Sequence, residues 1–220
     1  MRKLLLLRPE PGLAASADRA REMGLDVVAC PLFCIEQLEW EAPDPANYDA
    51  LLITSANALR YGGGKLDSLK SLPVHAVGTA TAEAAQAAGF SVVSLGDGDV
   101  AELLAGLPED MRLLHLAGEN HRETATNHRI DRRILYRSAP IGEPGLPPTD
   151  GMIIGVHSPR AAKRLAELVA ERQCAAIAAI SSGAAEAAGD GWERVEVADR
   201  PDDSSLLALA ASLCHTSPPK

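Results

Sequence analysis

Short apolar runs closed by Gly, Ser or Thr turns and continued by Ala-rich segments recur along this chain, and each predicts a strand, a tight turn and a helix. The sharpest example is the run Val74 to Val77, turned at Gly78-Thr79-Ala80-Thr81 and followed by a helix to Ala88, just before Gly89. The pattern returns at Ala175 to Ile180 and Ser181-Ser182-Gly183, where Ala179, Ala185, Glu186, Ala187 and Ala188 repeat Ala76, Ala82, Glu83, Ala84 and Ala85. Thr54-Ser55-Ala56-Asn57-Ala58 and His157-Ser158-Pro159-Arg160-Ala161 keep the same spacing. Two anchors at one offset predict a duplicated α/β lobe.

The remaining pattern reads as follows in chain order. Lys3 to Leu7 reads as a buried strand ended by Arg8-Pro9-Glu10-Pro11-Gly12, so Arg8 lies at a strand's carboxyl end. A helix over Leu13 to Met23 stops at Gly24, a strand covers Leu25 to Cys30, and Leu32 to Leu38 is an extended crossing into another lobe. Strands follow at Ala50 to Ile53, Val74 to Val77, Ser91 to Leu95 and Arg112 to Leu116. Between them come helices to about Tyr61, to Ala88 and from Val100 to Leu107, with Gly62-Gly63-Gly64 as a loop. The turn Ala117 to Arg122 opens a polar, helical or irregular stretch to Arg132, and Arg133 to Ser138 is extended again. Pro140 to Pro148 is the strongest linker signal. Beyond it the pattern predicts strands at Met152 to Val156, Ala175 to Ile180 and Arg194 to Ala198. Helices cover Ser158 to Arg172, the segment from Ala184, and Ser204 to Leu213, and His215 to Lys220 is a disordered tail.

The second copy of the repeat holds only three strands, and the rest of its lobe is at the amino terminus. Leu4-Leu5-Leu6-Leu7-Arg8-Pro9-Glu10 has the form of Leu113-Leu114-His115-Leu116-Ala117-Gly118-Glu119: apolar run, turn, acid. Lobe one is therefore residues 1–34 with 141–220, and lobe two, residues 36–137, is inserted within it. The two extended crossings pair as a two-stranded ladder. The class is α/β, with parallel sheets covered by helices on both faces and ligands beyond the strands' carboxyl ends.

Length agrees with this division, since 220 residues suit two domains of about 100 residues each. Aromatic residues are only 3% of the chain, so the cores are made of Ala, Leu, Val and Ile. Apolar residues at 46% and charged ones at 23% indicate neither disorder nor a membrane span. A net charge of −9 argues against a nucleic-acid binder and requires a locally positive pocket for any anion. Arg8, Pro9 and Pro11 interrupt the one signal-like start, which points to a cytoplasmic protein. Cys30, Cys34, Cys174 and Cys214 form no C-x-x-C and read as free thiols. The histidines at 75, 115, 121, 128 and 157 have no metal-binding spacing, and no Walker A pattern surrounds Gly62 to Gly64. No Gly-x-Gly-x-x-Gly follows either early strand, which removes a dinucleotide-dependent enzyme.

Thr54-Ser55 with Ala58, Val77-Gly78-x-Ala80-Thr81-Ala82, Gly118-x-x-x-Arg122, Tyr136 in Ile134-Leu135-Tyr136-Arg137, and Ser158-Pro159 with Ala161 together resemble the uroporphyrinogen-III synthase family. The ordered set covers nearly the whole chain, from Leu4-x-x-x-Arg8-Pro9 to Leu206-Leu207. The resemblance implies two flavodoxin-like lobes joined by a β-ladder and a cleft for hydroxymethylbilane, with neither metal nor cofactor. It implies closure of that linear tetrapyrrole with loss of water and inversion of the last pyrrole ring. Duplicated lobes that bury one another favour a monomer, and charge and composition point to neither nucleic acid nor membrane as a partner.

A substrate with eight carboxylates suits main-chain amides and hydroxyls at helix starts. The candidate donors are Thr54, Ser55, Gly78, Thr79, Thr81 and Gly118 in lobe two and Ser158, Ser181 and Ser182 in lobe one, with Arg8, Arg122, Arg137 and Arg160 as cations. Tyr136 matches the family's tyrosine and is the candidate catalytic residue, because tyrosine phenols carry their proton at neutral pH and can donate it to a departing hydroxyl. Each has a plainer reading. Tyr136 can be a packing tyrosine, Thr81 can cap its own helix, Arg122 can be solvated, and Arg8 can pair with Glu10 or a carbonyl. The chain departs from the family at Ser181-Ser182-Gly183-Ala184-Ala185, where many members carry Gly-Pro-x-Thr-Ala, so the lobe-one hydroxyl matching Thr81 is absent. A non-catalytic two-lobed module that closes on a small polyanion is the alternative.

Overall fold

The computed structural model describes residues 1–96, 99–121 and 125–215. In chain order its elements are β1 (Leu4–Leu6), α1 (Gly12–Glu22), β2 (Val27–Ala29), β3 (Phe33–Gln37), β4 (Ala50–Ile53), α2 (Ala56–Tyr61), β5 (Val74–Val77), α3 (Thr79–Ala87), β6 (Val92–Gly96) and α4 (Val100–Ala105). They continue with β7 (Arg112–Gly118), β8 (Arg129–Pro140), β9 (Ile153–Val156), α5 (Pro159–Leu168), β10 (Ala176–Ala179), α6 (Ser182–Ala188), β11 (Arg194–Val197) and α7 (Asp203–His215). By its contacts the chain divides into one unit of residues 1–34 and 139–220 and another of residues 35–138.

The first unit is built on a five-stranded sheet in the order β11-β10-β9-β1-β2, with every pairing parallel. β1 is inside it, with Leu4 opposite both Val27 and Ile153. An unbroken leucine run fits such a strand because both faces are covered. Leu5 joins Ala161, Leu165 and Ala184 of α5 and α6 in one core. Leu4 and Leu6 join Leu13, Ala17, Leu206 and Ala210 of α1 and α7 in another.

The second unit holds a six-stranded sheet in the order β3-β8-β7-β4-β5-β6. β3 and β8 lie side by side, as the two extended segments were expected to, and Leu38 N donates to Leu135 O at 2.8 Å. Leu51, Ile53, Ala76 and Leu114 meet Ala58, Leu59, Ala82 and Ala85 of α2 and α3 on one face. On the other, Ala50, Leu52, Val77 and Leu113 meet Leu103 and Leu104 of α4. A parallel crossover usually carries a helix, yet the connection from β7 to β8 contains none among its described residues. Over β7 and β8 the α4 face holds a cavity.

Several boundaries differ from those read in the sequence, each for a local reason. Helix α5 ends at Leu168, short of Arg172, because the Arg172 side chain turns back to cap it, donating from Nε to Val169 O at 3.0 Å and from Nη2 to Ala166 O. Gly62 to Gly64 is not a plain loop: a 3-10 helix spans Gly63–Leu69, buries Leu66 and Leu69, and Trp40 Nε1 donates to Gly62 O at 2.9 Å. β8 begins at Arg129, not Arg133, because Arg129 to Arg132 extend the ladder along β7. Thr79 already belongs to α3. Of the tail expected to be disordered, His215 is helical and residues 216–220 lie outside the described residues. All four cysteines are free. No helix among the described residues is long and apolar enough to cross a membrane, and no group of three or more His, Cys, Asp or Glu side chains among them is placed to hold a metal ion.

Candidate functional site

The open part of the α4 face forms a cavity of about 370 Å³. Leu52, Val77, Val100, Leu104 and Ile130 give it an apolar floor. Its polar wall comes from the carboxyl ends of β4 and β7 and from strand β8: Thr54 and Ser55, His115 and Gly118, then Arg132, Tyr136 and Ser138, with Glu119, Asn120 and His121 from the loop after β7. Strand alternation explains the grouping. His115 pairs in register with Leu52 on one side and Arg132 on the other, so all three point to the α4 face.

His115 is 4% exposed, and its Nε2 lies 3.1 Å from Thr54 Oγ1. Burial, reinforced by the neighbouring Arg132 and His121, lowers its pKa to about 4, so it is neutral at physiological pH. His121 stands edge-on to it, with ring centroids 6.1 Å apart. The His121 Nδ1 is 3.0 Å from Gly118 O; a carbonyl only accepts, so Nδ1 carries the proton. Tyr136 sits opposite Gly118 in the ladder. A Cβ on Gly118 would lie 2.6 Å from the Tyr136 ring, and the Tyr136 O accepts from Glu119 N at 2.9 Å. Glycine is thus required at 118 by the approach of the tyrosine. Tyr61 flanks the same ring at 6.1 Å.

Four residues singled out in the sequence therefore meet at this cavity: Thr54, Ser55, Gly118 and Tyr136. Ser55 also caps α2 through Asn57 N at 3.3 Å. Gly78, Thr79 and Thr81 do not line it. Gly78 enters α3 with φ of +83°, a conformation that suits glycine, Thr79 is exposed, and Thr81 is 5% exposed inside the helix. Arg122 lies outside the described residues. Arg137 is exposed and pairs with Glu36 at 2.8 Å.

In the first unit Ser158 caps α5, accepting from Ala161 N at 3.2 Å, and Ser181 caps α6, accepting from Ala184 N at 3.4 Å. Ser182 opens α6, and the Arg160 guanidinium lies 4.9 Å from the Phe33 ring centroid. Arg8 does not pair with Glu10; its Nη1 donates to Ser16 Oγ at 3.0 Å and to Asp203 Oδ1 at 3.1 Å. Asp203 also accepts from Ser16 at 2.5 Å, from His157 Nε2 at 2.7 Å and from Arg19 at 2.7 and 3.0 Å. Burial alone would raise this carboxyl, but the hydrogen bonds from His157, Ser16 and Arg19 hold it well below the usual carboxylate range.

Sequence reasoning weighed His115 and His121 only as metal ligands, and did not weigh Arg132 or Asp203 at all. One signal was available for His115: it interrupts the apolar run Leu113-Leu114-His115-Leu116, where a buried strand has to satisfy a polar side chain.

Two predictions follow from this arrangement. Because both serines are occupied as caps, Ser158→Ala and Ser181→Ala are each expected to cost about 1 kcal/mol in urea unfolding. Acid sensitivity has two windows. The folded state keeps His115 neutral while the unfolded chain takes up a proton below about 6.5, so stability should fall as pH drops from about 6.5 to about 4. The depressed Asp203 carboxyl adds a further loss below its ordinary range near 4. Urea midpoints against pH for His115→Gln should show a shallower upper window, the remainder coming from the buried His75, whose pKa burial also lowers, and should keep the lower one.

The chain matches the family model described as uroporphyrinogen-III synthase HemD over residues 14–208. Its fold is similar to that of the uroporphyrinogen-III synthetase of Helicobacter pylori 26695, with 20% identity, a TM-score of 0.66, and 97% of this chain and 100% of that one covered. It is also similar to a mutant uroporphyrinogen III synthase of Thermus thermophilus, with 17% identity, a TM-score of 0.53 and coverage of 97% and 99%. At such identities the likeness concerns the fold.

Proposed function

The chain belongs to the uroporphyrinogen-III synthase family, and we propose that it closes hydroxymethylbilane to uroporphyrinogen III as a hydro-lyase of haem biosynthesis. The observation that carries this reading beyond the family is the seat of Tyr136, held against Gly118 at the mouth of a cavity that Thr54 and Ser55 share.

In the reaction the C–O bond of the hydroxymethyl group breaks, the hydroxyl takes a proton and leaves as water, and a new C–C bond joins that carbon to the substituted carbon of the last ring. The bond from that ring carbon to the preceding bridge carbon then breaks and re-forms at the ring's free α carbon, which loses its proton, so the ring ends inverted. The bilane also closes unaided without inversion, so the enzyme's task is to hold the chain ends for attack through the ring's substituted carbon, a matter of position. Tyr136 donates the hydrogen bond to the departing hydroxyl. Thr54, Ser55 and the exposed Thr79 receive carboxylates, whereas the Gly78 and Thr81 amides are already given to Gly96 O at 2.9 Å and Gly78 O at 3.0 Å; Ser158, Ser181, Ser182 and Arg160 are the further donors proposed. Arg122 and Arg137 add positive charge. Arg8, engaged by Asp203, contributes by fixing α1 and α7. The reading is of a cytoplasmic monomer acting without metal or cofactor.

The test is product analysis with freshly generated hydroxymethylbilane, oxidation and chromatographic separation of the uroporphyrin isomers. Predominance of isomer III over the spontaneous isomer I supports the synthase. Isomer I alone, with the bilane still bound, would replace it with the binding-module reading.

A further inference from the structure

We propose that the crevice beyond the carboxyl ends of β1 and β9 is a site for a phosphate dianion, free or as the end group of a small phosphomonoester, and that the Asp203 carboxylate is its built-in placeholder. The site lies within the first unit and does not depend on the synthase reading.

Topology sets the place. Ligands of parallel sheets settle where the strand order reverses, which in the order β11-β10-β9-β1-β2 is between β9 and β1. In the second unit the equivalent place, between β4 and β7, holds the cavity beside Thr54 and His115. In the first unit a side chain fills it. Asp99, at the start of α4, accepts from Ala101 N of its own helix at 2.8 Å. At the start of α7 that duty falls to Asp202, through Ser205 N at 2.7 Å, and Asp203 turns to His157 and Arg8 at the two strand ends.

The donors in the crevice exceed what a carboxylate can take. Oδ1 of Asp203 faces Arg8 Nη1, Ser16 Oγ and His157 Nε2, while Oδ2 faces both Nε and Nη2 of Arg19. These are five donors, against about four lone-pair sites on a carboxylate. The Arg19 fork, shaped to meet two oxygens, meets one. His157 Nδ1 is buried with no partner among the described residues. Gly12 leaves room for the Arg8 guanidinium, since a Cβ there would lie 2.7 Å from its Nε and Nη2. Charge points the same way. Two guanidiniums share one carboxylate, and the neighbouring acids are engaged elsewhere: Asp202 with Arg200 at 3.3 Å, Asp18 with Arg21 at 2.9 Å, and Glu10 with Ala14 N at 3.0 Å. A phosphate dianion supplies the second negative charge and the further acceptor oxygens. Arg19 is half exposed and gives it a way in. Burial raises the Asp203 carboxyl, but the hydrogen bonds from His157, Ser16 and Arg19 outweigh it and keep the group ionised at physiological pH, so only a competing anion can replace it. The tethered carboxylate competes at a high effective concentration, which makes binding to the natural chain weak.

Inorganic phosphate and glycerol 3-phosphate are the probes, titrated into the full chain at constant pH and ionic strength, with acetate and chloride as controls, while the imidazole NMR signals of His157 are followed. In the wild-type chain phosphate should shift these signals in a saturable way, and acetate and chloride should not. Asp203→Ala should bind phosphate roughly tenfold more tightly or better, because the competitor is gone, and phosphate should raise its melting midpoint towards that of the wild type. Arg19→Gln, with Asp203 kept, should weaken phosphate roughly tenfold. A response to both probes makes the ligand a phosphomonoester, and a response to phosphate alone makes it the free ion; either supports the site. Should Asp203→Ala fail to fold, the wild-type and Arg19→Gln titrations decide. No saturable response to phosphate in the wild-type chain, an equal response to acetate there, or unchanged binding in the folded Arg19→Gln chain overturns the proposal.

Discussion

Gly118→Ala is expected to cost about a hundredfold in the rate of isomer III formation while leaving a folded chain. The added Cβ would meet the Tyr136 ring at 2.6 Å, well inside van der Waals contact, so the ring has to move. Relief is limited, because Leu135 beside it is fully buried and the Tyr136 carbonyl is tied to Glu119 N. Overpacking of this kind costs about 1–3 kcal/mol of stability, which a chain of this size tolerates. The effect on chemistry is larger, since a shift of about 1 Å in a positioning group can lower a rate roughly a hundredfold. Tyr136→Phe keeps the ring in place and removes only its hydroxyl, so the two variants separate position from proton donation. Initial rates of isomer III formation for both, beside thermal melts, are the measurement. A Gly118→Ala chain that makes isomer III at the wild-type rate would show that Tyr136 has no part in positioning.

The second large effect concerns stability. Asp203→Ala should lower the unfolding free energy by about 3 kcal/mol, because it leaves Arg8, Arg19 and His157 facing one another without the carboxylate that collects them. For a chain of this length that corresponds to a fall of roughly 10 °C in the melting midpoint. The cost is large for an ion pair because Asp203 is mostly buried and the His157 side chain is 6% exposed. Arg19, half exposed, can turn to solvent and recovers part of the loss. Asp203→Asn should lose less than alanine, since the remaining amide oxygen still accepts from Ser16 or Arg8. Calorimetry of the three chains at neutral pH tests the order, and an unchanged midpoint in the alanine variant would reduce the cluster to a surface ornament.

How far each feature was legible follows from how local its cause is. Leu4 to Leu7 and Val74 to Val77 announced themselves because a strand covered on both faces needs nothing but apolar residues. Tyr136 and Gly118 were found through motif resemblance, yet their contact was not, because it depends on a register shift between β7 and β8 at Ala117 and Gly118. His115 and Arg132 are neighbours only through that same ladder, and are separated in sequence by a stretch with no clear period. Arg8 was correctly put at a strand end, but Asp203 lies far along the chain, and nothing near either residue points to the other. The end of α5 was missed for a similar reason: a side-chain cap from Arg172 leaves no mark in helix periodicity.

The position of β1 bears on the order in which the chain is made. Leu4 to Leu6 are synthesised well before one of their two neighbouring strands, which begins at Ile153. Every residue of the unit spanning 35–138 is synthesised in between. That unit can close its own sheet while the nascent chain is still growing, as domains generally fold as units during synthesis. The amino-terminal strand must wait, apolar and half-paired with β2, until β9 arrives. Contacts so distant in sequence fold slowly. A strand made before the 35–138 unit is thus among the last to reach its native neighbours, and it is during that interval that the leucine run is most exposed to aggregation or to a chaperone.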